Sequence, residues 1–403
     1  MDRMPPSTVR RRSVALLALV ALSLVATACD AFYLPPSPLP AGRPGDVIRS
    51  RNSVFTLDPV AKTPVPGVRS TQILYRSQDA LGNPIAVSGT VLVPSAPWRG
   101  TAKRPLITFA VGTRGLGDEC APSKTLANGT DYEGGIVSSF LSRGWAVVVT
   151  DYQGLGTPGT HTYVVGRAEG RSVLDAARAA TRLPGSGLDG TNPIGVYGYS
   201  QGGGAAAWAG KLAGTYAPEV NLMGIAEGGV PADLLATAHY LDGGPAVALA
   251  LLAAFGFDAA YPELDVDGYL NDRGRQLQAE LESFCLSSYD GAKTIASTSG
   301  SHLSDYTTTN LLDDPAWQAR FAENTLGSAA PSVPVFQFHG TVDDIVPFAQ
   351  ADTFHAMSCA KGANLTWIPL PGQQHVSAAA AGLPYATQFL ADRFAGLPTL
   401  GNC

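Results

Sequence analysis

Charge is scarce in this chain. Asp, Glu, Lys and Arg make up 15% of its 403 residues, and lysine supplies six of them against 21 arginines. The only basic cluster is Arg10-Arg11-Arg12, so no cationic face exists to track a phosphate backbone, and nucleic acid is excluded as a partner. Histidine is equally sparse, with six residues and no pair at metal-ligand spacing; neither a metal nor another cofactor is expected. Long apolar runs are missing beyond residues 14–28, so no second segment is apolar enough to span a membrane. No internal repeat is visible.

The one apolar run follows a cationic flank and is short, which is the pattern of a signal peptide over residues 1–29. Its end at Ala28-Cys29 resembles a lipoprotein signal, in which a lipidated Cys29 attaches the protein to a membrane; ordinary cleavage near Ala26-Thr27-Ala28 is the alternative. The chain is therefore expected to be exported, to the cell surface or beyond. Residues 30–45, rich in Pro and Ala, are read as a flexible tether. Residues 1–28 carry four Arg and one Asp, which leaves the remainder more acidic than the whole-chain charge of −6. With Cys29 assigned to export, Cys120, Cys285, Cys359 and Cys403 remain; an even set in an exported chain implies two disulfides, with three pairings open.

About 370 residues exceed what one core usually holds, so a main domain with an insertion is expected. Residues 85–93 alternate like an antiparallel strand. The runs 106–111, 145–150, 193–197, 333–338 and 364–370 are near-continuously apolar, as parallel strands buried on both faces are. Helical segments fall between them at 132–143 and 167–183. The second places Val173, Leu174, Ala177 and Ala180 on one face and turns Glu169, Arg171, Asp175 and Arg178 away. Strand–helix alternation implies an α/β fold with a mainly parallel sheet over 46–230 and 331–403. Residues 231–330 lack strand signals and read as a mainly helical cap.

Ser200 lies in Gly198-Tyr199-Ser200-Gln201-Gly202, after an apolar strand and before a small-residue helical segment. That context describes the sharp turn that presents a serine nucleophile, with glycines where side chains would strike the neighbouring strand and helix. A serine hydroxyl needs a base, and the base an orienting acid. Asp343, in His339-Gly340-Thr341-Val342-Asp343-Asp344-Ile345-Val346-Pro347, is the acid candidate, with Asp344 as its solvent-facing neighbour. His375, in the loop after the final strand, is the base. His339 is expected to hydrogen-bond around the acid loop, and the other four histidines read as structural. An oxyanion needs two preorganised N–H donors. The Gln201 amide is one; Thr113, in Gly112-Thr113-Arg114-Gly115, is the choice for the other, with Arg114 as the alternative.

Beyond the serine motif, the segments Asp118-Glu119-Cys120-Ala121-Pro122-Ser123, Asp343-Asp344-Ile345-Val346-Pro347 and Cys359-Ala360-Lys361-Gly362-Ala363-Asn364, with His375, resemble the secretory lipase family. The resemblance implies an α/β-hydrolase fold, a helical lid at 231–330, bridges Cys120–Cys285 and Cys359–Cys403, and cleavage of carboxylic esters, acylglycerols included. The family's yeast type continues past the equivalent of Cys403 into a flap, so a more open site and shorter or bulkier esters are expected here. Two other readings stand beside this one. A peptidase or acyltransferase would keep the triad and use acids such as Glu227 or Asp233 to hold a substrate amine. A surface binding protein would keep only the scaffold.

Overall fold

The computed structural model describes residues 30–403; the expected signal peptide and Cys29 lie outside them. A nine-stranded sheet runs β1-β2-β3-β5-β4-β6-β7-β8-β9 across the molecule. The antiparallel edge is formed by β1 (Val47–Ser53), β2 (Val68–Gln78) and β3 (Pro84–Pro94). β3 joins antiparallel to β5 (Ala146–Thr150), and from there the pairing is parallel through β4 (Leu106–Ala110), β6 (Ile194–Tyr199), β7 (Leu222–Gly228), β8 (Val335–Gly340) and β9 (Leu365–Leu370). Every residue of β4, β5, β6 and β8 is buried, which is why β4, β5 and β6 run mostly apolar; in β8 the polar Gln337 and His339 are buried as well. This is the α/β-hydrolase fold.

Helices cover both faces. α1 (Pro122–Asn128) and α2 (Gly134–Ser142) precede β5; α3 (Gly166–Arg182) and α4 (Gln201–Tyr216) flank β6. Five more, α5 (Leu234–Leu241), α6 (Val247–Ala260), α7 (Asp272–Leu281), α8 (Tyr289–Thr298) and α9 (Pro315–Glu323), stand between β7 and β8 as one helical insertion. α10 (Phe348–Ala360) and α11 (His375–Phe394) complete the chain around β9. The insertion has its own core, in which Leu252, Phe257, Trp317 and Phe321 pack together. α6 is apolar all round because it is enclosed by that core on one side and lines a cavity on the other. Among the described residues no single helix is long and apolar enough to cross a membrane.

Two expectations need correction. The stretch 30–45, assigned by composition to a tether, lies against the sheet. Phe32 and Tyr33 are buried beside Leu74, the Arg51 guanidinium sits 4.2 Å from the Phe32 ring centre, and the Tyr33 hydroxyl reaches Ser123 Oγ at 2.9 Å. Two aromatic rings outweigh the surrounding prolines. The polar face of α3, expected to turn outward, is also largely buried: Glu169, Asp175 and Arg178 are enclosed and Arg171 is half-buried. α3 is pressed onto α4, where a Cβ on Gly170 would come within 2.8 Å of the Trp208 backbone, and its polar groups find partners inside. Asp175 accepts from Ser77 Oγ at 2.7 Å, Tyr216 Oη at 2.7 Å and Arg178 Nη1 at 2.8 Å.

Candidate active site

β6 ends at Tyr199 and α4 begins at Gln201, so Ser200 alone makes the turn, at φ 59° and ψ −124°. A non-glycine residue in that region is strained by about 1–3 kcal/mol, held here by the packing around it. The Ser200 amide donates to Gly228 O at 2.9 Å. The flanking glycines are obligatory: a Cβ on Gly198 would lie 2.0 Å from Gly202 O, and one on Gly202 would lie 2.1 Å from Ala110 O.

Asp343 follows β8 and His375 opens α11 after β9, so the ends of three parallel strands deliver the three side chains to one place. Ser200 Oγ is 2.8 Å from His375 Nε2, and His375 Nδ1 is 2.7 Å from Asp343 Oδ2. With Nδ1–H donating to the carboxylate, Nε2 is left to accept the serine proton; this assignment follows from the network. Asp343 Oδ1 accepts from the Ile345 and Val346 amides at 2.9 and 2.8 Å, and His339 Nε2 lies 3.3 Å from Oδ2 and 2.9 Å from Val346 O. Burial alone would raise the Asp343 carboxyl, but the bonds from His339, His375 and Val346 outweigh it and hold it well below the usual range. Tyr199 supports the base, donating from its hydroxyl to His375 O at 2.6 Å. The Asp344 side chain accepts from the His375 amide at 3.1 Å rather than from its ring.

The loop after β4 runs beside this turn, since a Cβ on Gly112 would lie 3.5 Å from Tyr199 O. Neither the Thr113 nor the Gln201 main-chain N–H has a protein acceptor among the described residues. The main-chain N–H of Arg114, the alternative donor, likewise has no protein acceptor among the described residues; its guanidinium turns to Glu133 at 2.7 Å and Asp131 at 3.1 Å, and Glu133 in turn accepts from the Gly112 amide at 3.0 Å. Thr113 is held by its own hydroxyl, 2.8 Å from Tyr163 Oη, and by its carbonyl, which accepts from Tyr132 Oη at 2.9 Å. The supports Glu133, Tyr132 and Tyr163 carry no motif, so sequence reasoning passed over them. Burial pushes the Glu133 carboxyl up to about 7 against the opposing Arg114 charge.

Ser200 and Gln201 open onto a narrow cleft walled by α5 and α6 and including Tyr163, Leu234, Ala250, Ala253 and Phe321. Among the described residues no charged side chain lines it. Neither of the two acids considered as amine holders lines the cleft. Asp233 caps α5, accepting from the Ala236 amide at 2.9 Å, and Glu227 is buried on β7 at 1% exposure, outside the cleft. Burial pushes the Glu227 carboxyl up to about 8. It stays protonated in the fold while the unfolded chain ionises it above ~4.3, so stability drains away as pH rises from there to about 8. Glu227→Gln should flatten that slope, raising stability at pH 8 over that at pH 5 by on the order of 3 kcal/mol. Equal gains in thermal melts at both pH values would contradict this assignment.

Fold and site together define a hydrolase of the serine α/β class. Residues 120–402 match the family model described as secretory lipase, and the chain belongs to that family. A probable inactive lipase of Mycobacterium tuberculosis is 32% identical, with 92% of this chain and 82% of the relative covered. A secreted triacylglycerol lipase of Malassezia globosa is 30% identical over 91% of this chain and 79% of its own. Among solved structures, Candida antarctica lipase A superposes with a TM-score of 0.81 at 27% identity, covering 92% of this chain and 86% of that one; its closed state gives 0.79. Both implied disulfides are present, Cys120–Cys285 and Cys359–Cys403.

Proposed function

We propose that the protein is an exported serine esterase or lipase that cleaves neutral carboxylic esters, acylglycerols among them, through an acyl-enzyme on Ser200. One relative's name declares it inactive, so family membership alone does not carry activity. The observation that does is the hydrogen-bonded chain Ser200–His375–Asp343 at 2.8 and 2.7 Å. Ser200 Oγ attacks the ester carbonyl as His375 Nε2 takes its proton. Asp343 holds the tautomer and stabilises the imidazolium. The amides of Gln201 and Thr113 receive the oxyanion. His375 then protonates the leaving alcohol, and water repeats the sequence on the acyl-enzyme. Export rests on the signal-like N-terminus and on secreted relatives.

The uncharged cleft supports an aliphatic acyl group and disfavours a peptide amine. Initial rates on p-nitrophenyl esters from acetyl to palmitoyl test this. Each methylene that enters the cleft should raise kcat/KM about fourfold until the space is filled, as ~0.8 kcal/mol per buried CH₂ implies. Ser200→Ala should abolish turnover on every ester. A panel without Ser200-dependent turnover would refute the proposal.

A further inference from the structure

Behind the nucleophile lies a buried polar network that the reaction above does not use. Gln201, the residue whose amide faces the oxyanion, sends its side chain inward to the core. Its Nε2 lies 2.9 Å from His161 Nε2 and 2.7 Å from Glu169 Oε1. His161 Nδ1 donates to Gln153 O at 2.9 Å, so its Nε2 is the acceptor and both Gln201 amide protons are used. The same Glu169 oxygen accepts from the Val164 amide at 2.9 Å. Val164 stands at φ 55°, a strained position for a β-branched residue, and lines the cleft. His161 is fully buried and Glu169 is 1% exposed.

We propose that Glu169 is a positioning residue for the oxyanion site: one carboxyl oxygen ties the Gln201 side chain to the Val164 backbone, fixing the donor amide and the cleft wall together. This deepens the Ser200 reading and rests on it. Glu169 touches no reacting atom. It acts through Gln201, whose main-chain N–H must point at the developing negative charge, and such donors lose most of their effect when displaced. Burial pushes the Glu169 carboxyl up to about 8 against the opposing bonds from Gln201 and Val164, so its carbonyl oxygen does the accepting at neutral pH. A glutamine amide offers the same oxygen to the same two donors.

The test measures kcat and KM for p-nitrophenyl butyrate per active site titrated with a fluorophosphonate, and the Ki of an aliphatic trifluoromethyl ketone, whose adduct carries an oxyanion. Glu169→Ala should lower kcat roughly 10–100-fold with KM nearly unchanged, and weaken the ketone in parallel. Glu169→Gln should recover kcat to within about fivefold of wild type, since the accepting oxygen is kept. Should Glu169→Ala fail to fold, Gln201→Leu cuts the same link from the other side and should reproduce the loss. Native kcat per titrated site in Glu169→Ala or Gln201→Leu overturns the proposal. So does a kcat loss that leaves the ketone Ki unmoved, or one that Glu169→Gln does not recover. Activity persisting in Ser200→Ala would instead overturn the nucleophile assignment beneath it.

Discussion

Asp343→Asn should lower kcat about 10³–10⁴-fold with the fold intact, through a wrong histidine tautomer. The local hydrogen bonds dictate the outcome. Asp343 Oδ1 accepts from two backbone amides, at Ile345 and Val346. An asparagine can satisfy both only by placing its oxygen there, which turns its NH₂ toward His375. Nδ1 of His375 must then accept, and its proton moves to Nε2, opposite Ser200 Oγ. The base is lost while every neighbour keeps a partner. Stopped assays of kcat per titrated site, beside a thermal melt, separate this from unfolding. A loss under about tenfold would mean that His375 does not depend on Asp343 for its orientation.

Removing Cys120–Cys285 should reduce both stability and turnover, whereas removing Cys359–Cys403 should reduce stability alone. The first bridge ties the cap to the segment following Thr113. Beside it, Leu286 N donates to Arg114 O at 2.8 Å, Gly117 N donates to Phe284 O at 3.2 Å, and Gly115 pairs with Cys285. These contacts hold the β4 loop from the cap. Its sequence separation of 165 residues places the bridge toward the upper end of the usual range, about 2–5 kcal/mol. Cys120→Ala/Cys285→Ala should therefore melt several degrees lower and lose about tenfold or more in kcat. The second bridge fastens the end of α10 to the C-terminal residues, where Asn402 N donates to Leu365 O at 2.9 Å, remote from Ser200. Melting curves and kcat for the two double variants decide the point. Equal kcat in both would show that the cap anchor does not hold the oxyanion loop.

Much of the sheet is legible in the sequence because its strands are buried on both faces. The runs at 106–111 and 145–150 are apolar but for Thr108 and Thr150, and they became β4 and β5. Ser200 was legible from its glycines, whose absent side chains leave room for Gly202 O and Ala110 O. Asp343 and His375 were legible from chain order and from their positions after apolar strands. The supports were not. Glu169 falls on what looks like the solvent face of an amphipathic helix, and only the approach of α4 at Gly170 makes that face interior. Glu133 precedes α2 without any motif, and its role arises from Arg114 and Gly112 on a distant loop. Helical periodicity reports one apolar face; it does not report a polar face that finds its partners inside. Phe32 and Tyr33 were masked in a similar way by the prolines around them.

The most direct test of the account is to trap the acyl-enzyme. Protein mixed with p-nitrophenyl butyrate, quenched in acid within the first turnovers and weighed by mass spectrometry should carry one butyryl group per chain. Peptide mapping should place it on Ser200, and Ser200→Ala should carry none while retaining the wild-type fold. Hydrolysis that proceeds with no adduct, or with the adduct on another side chain, would contradict the account at its centre.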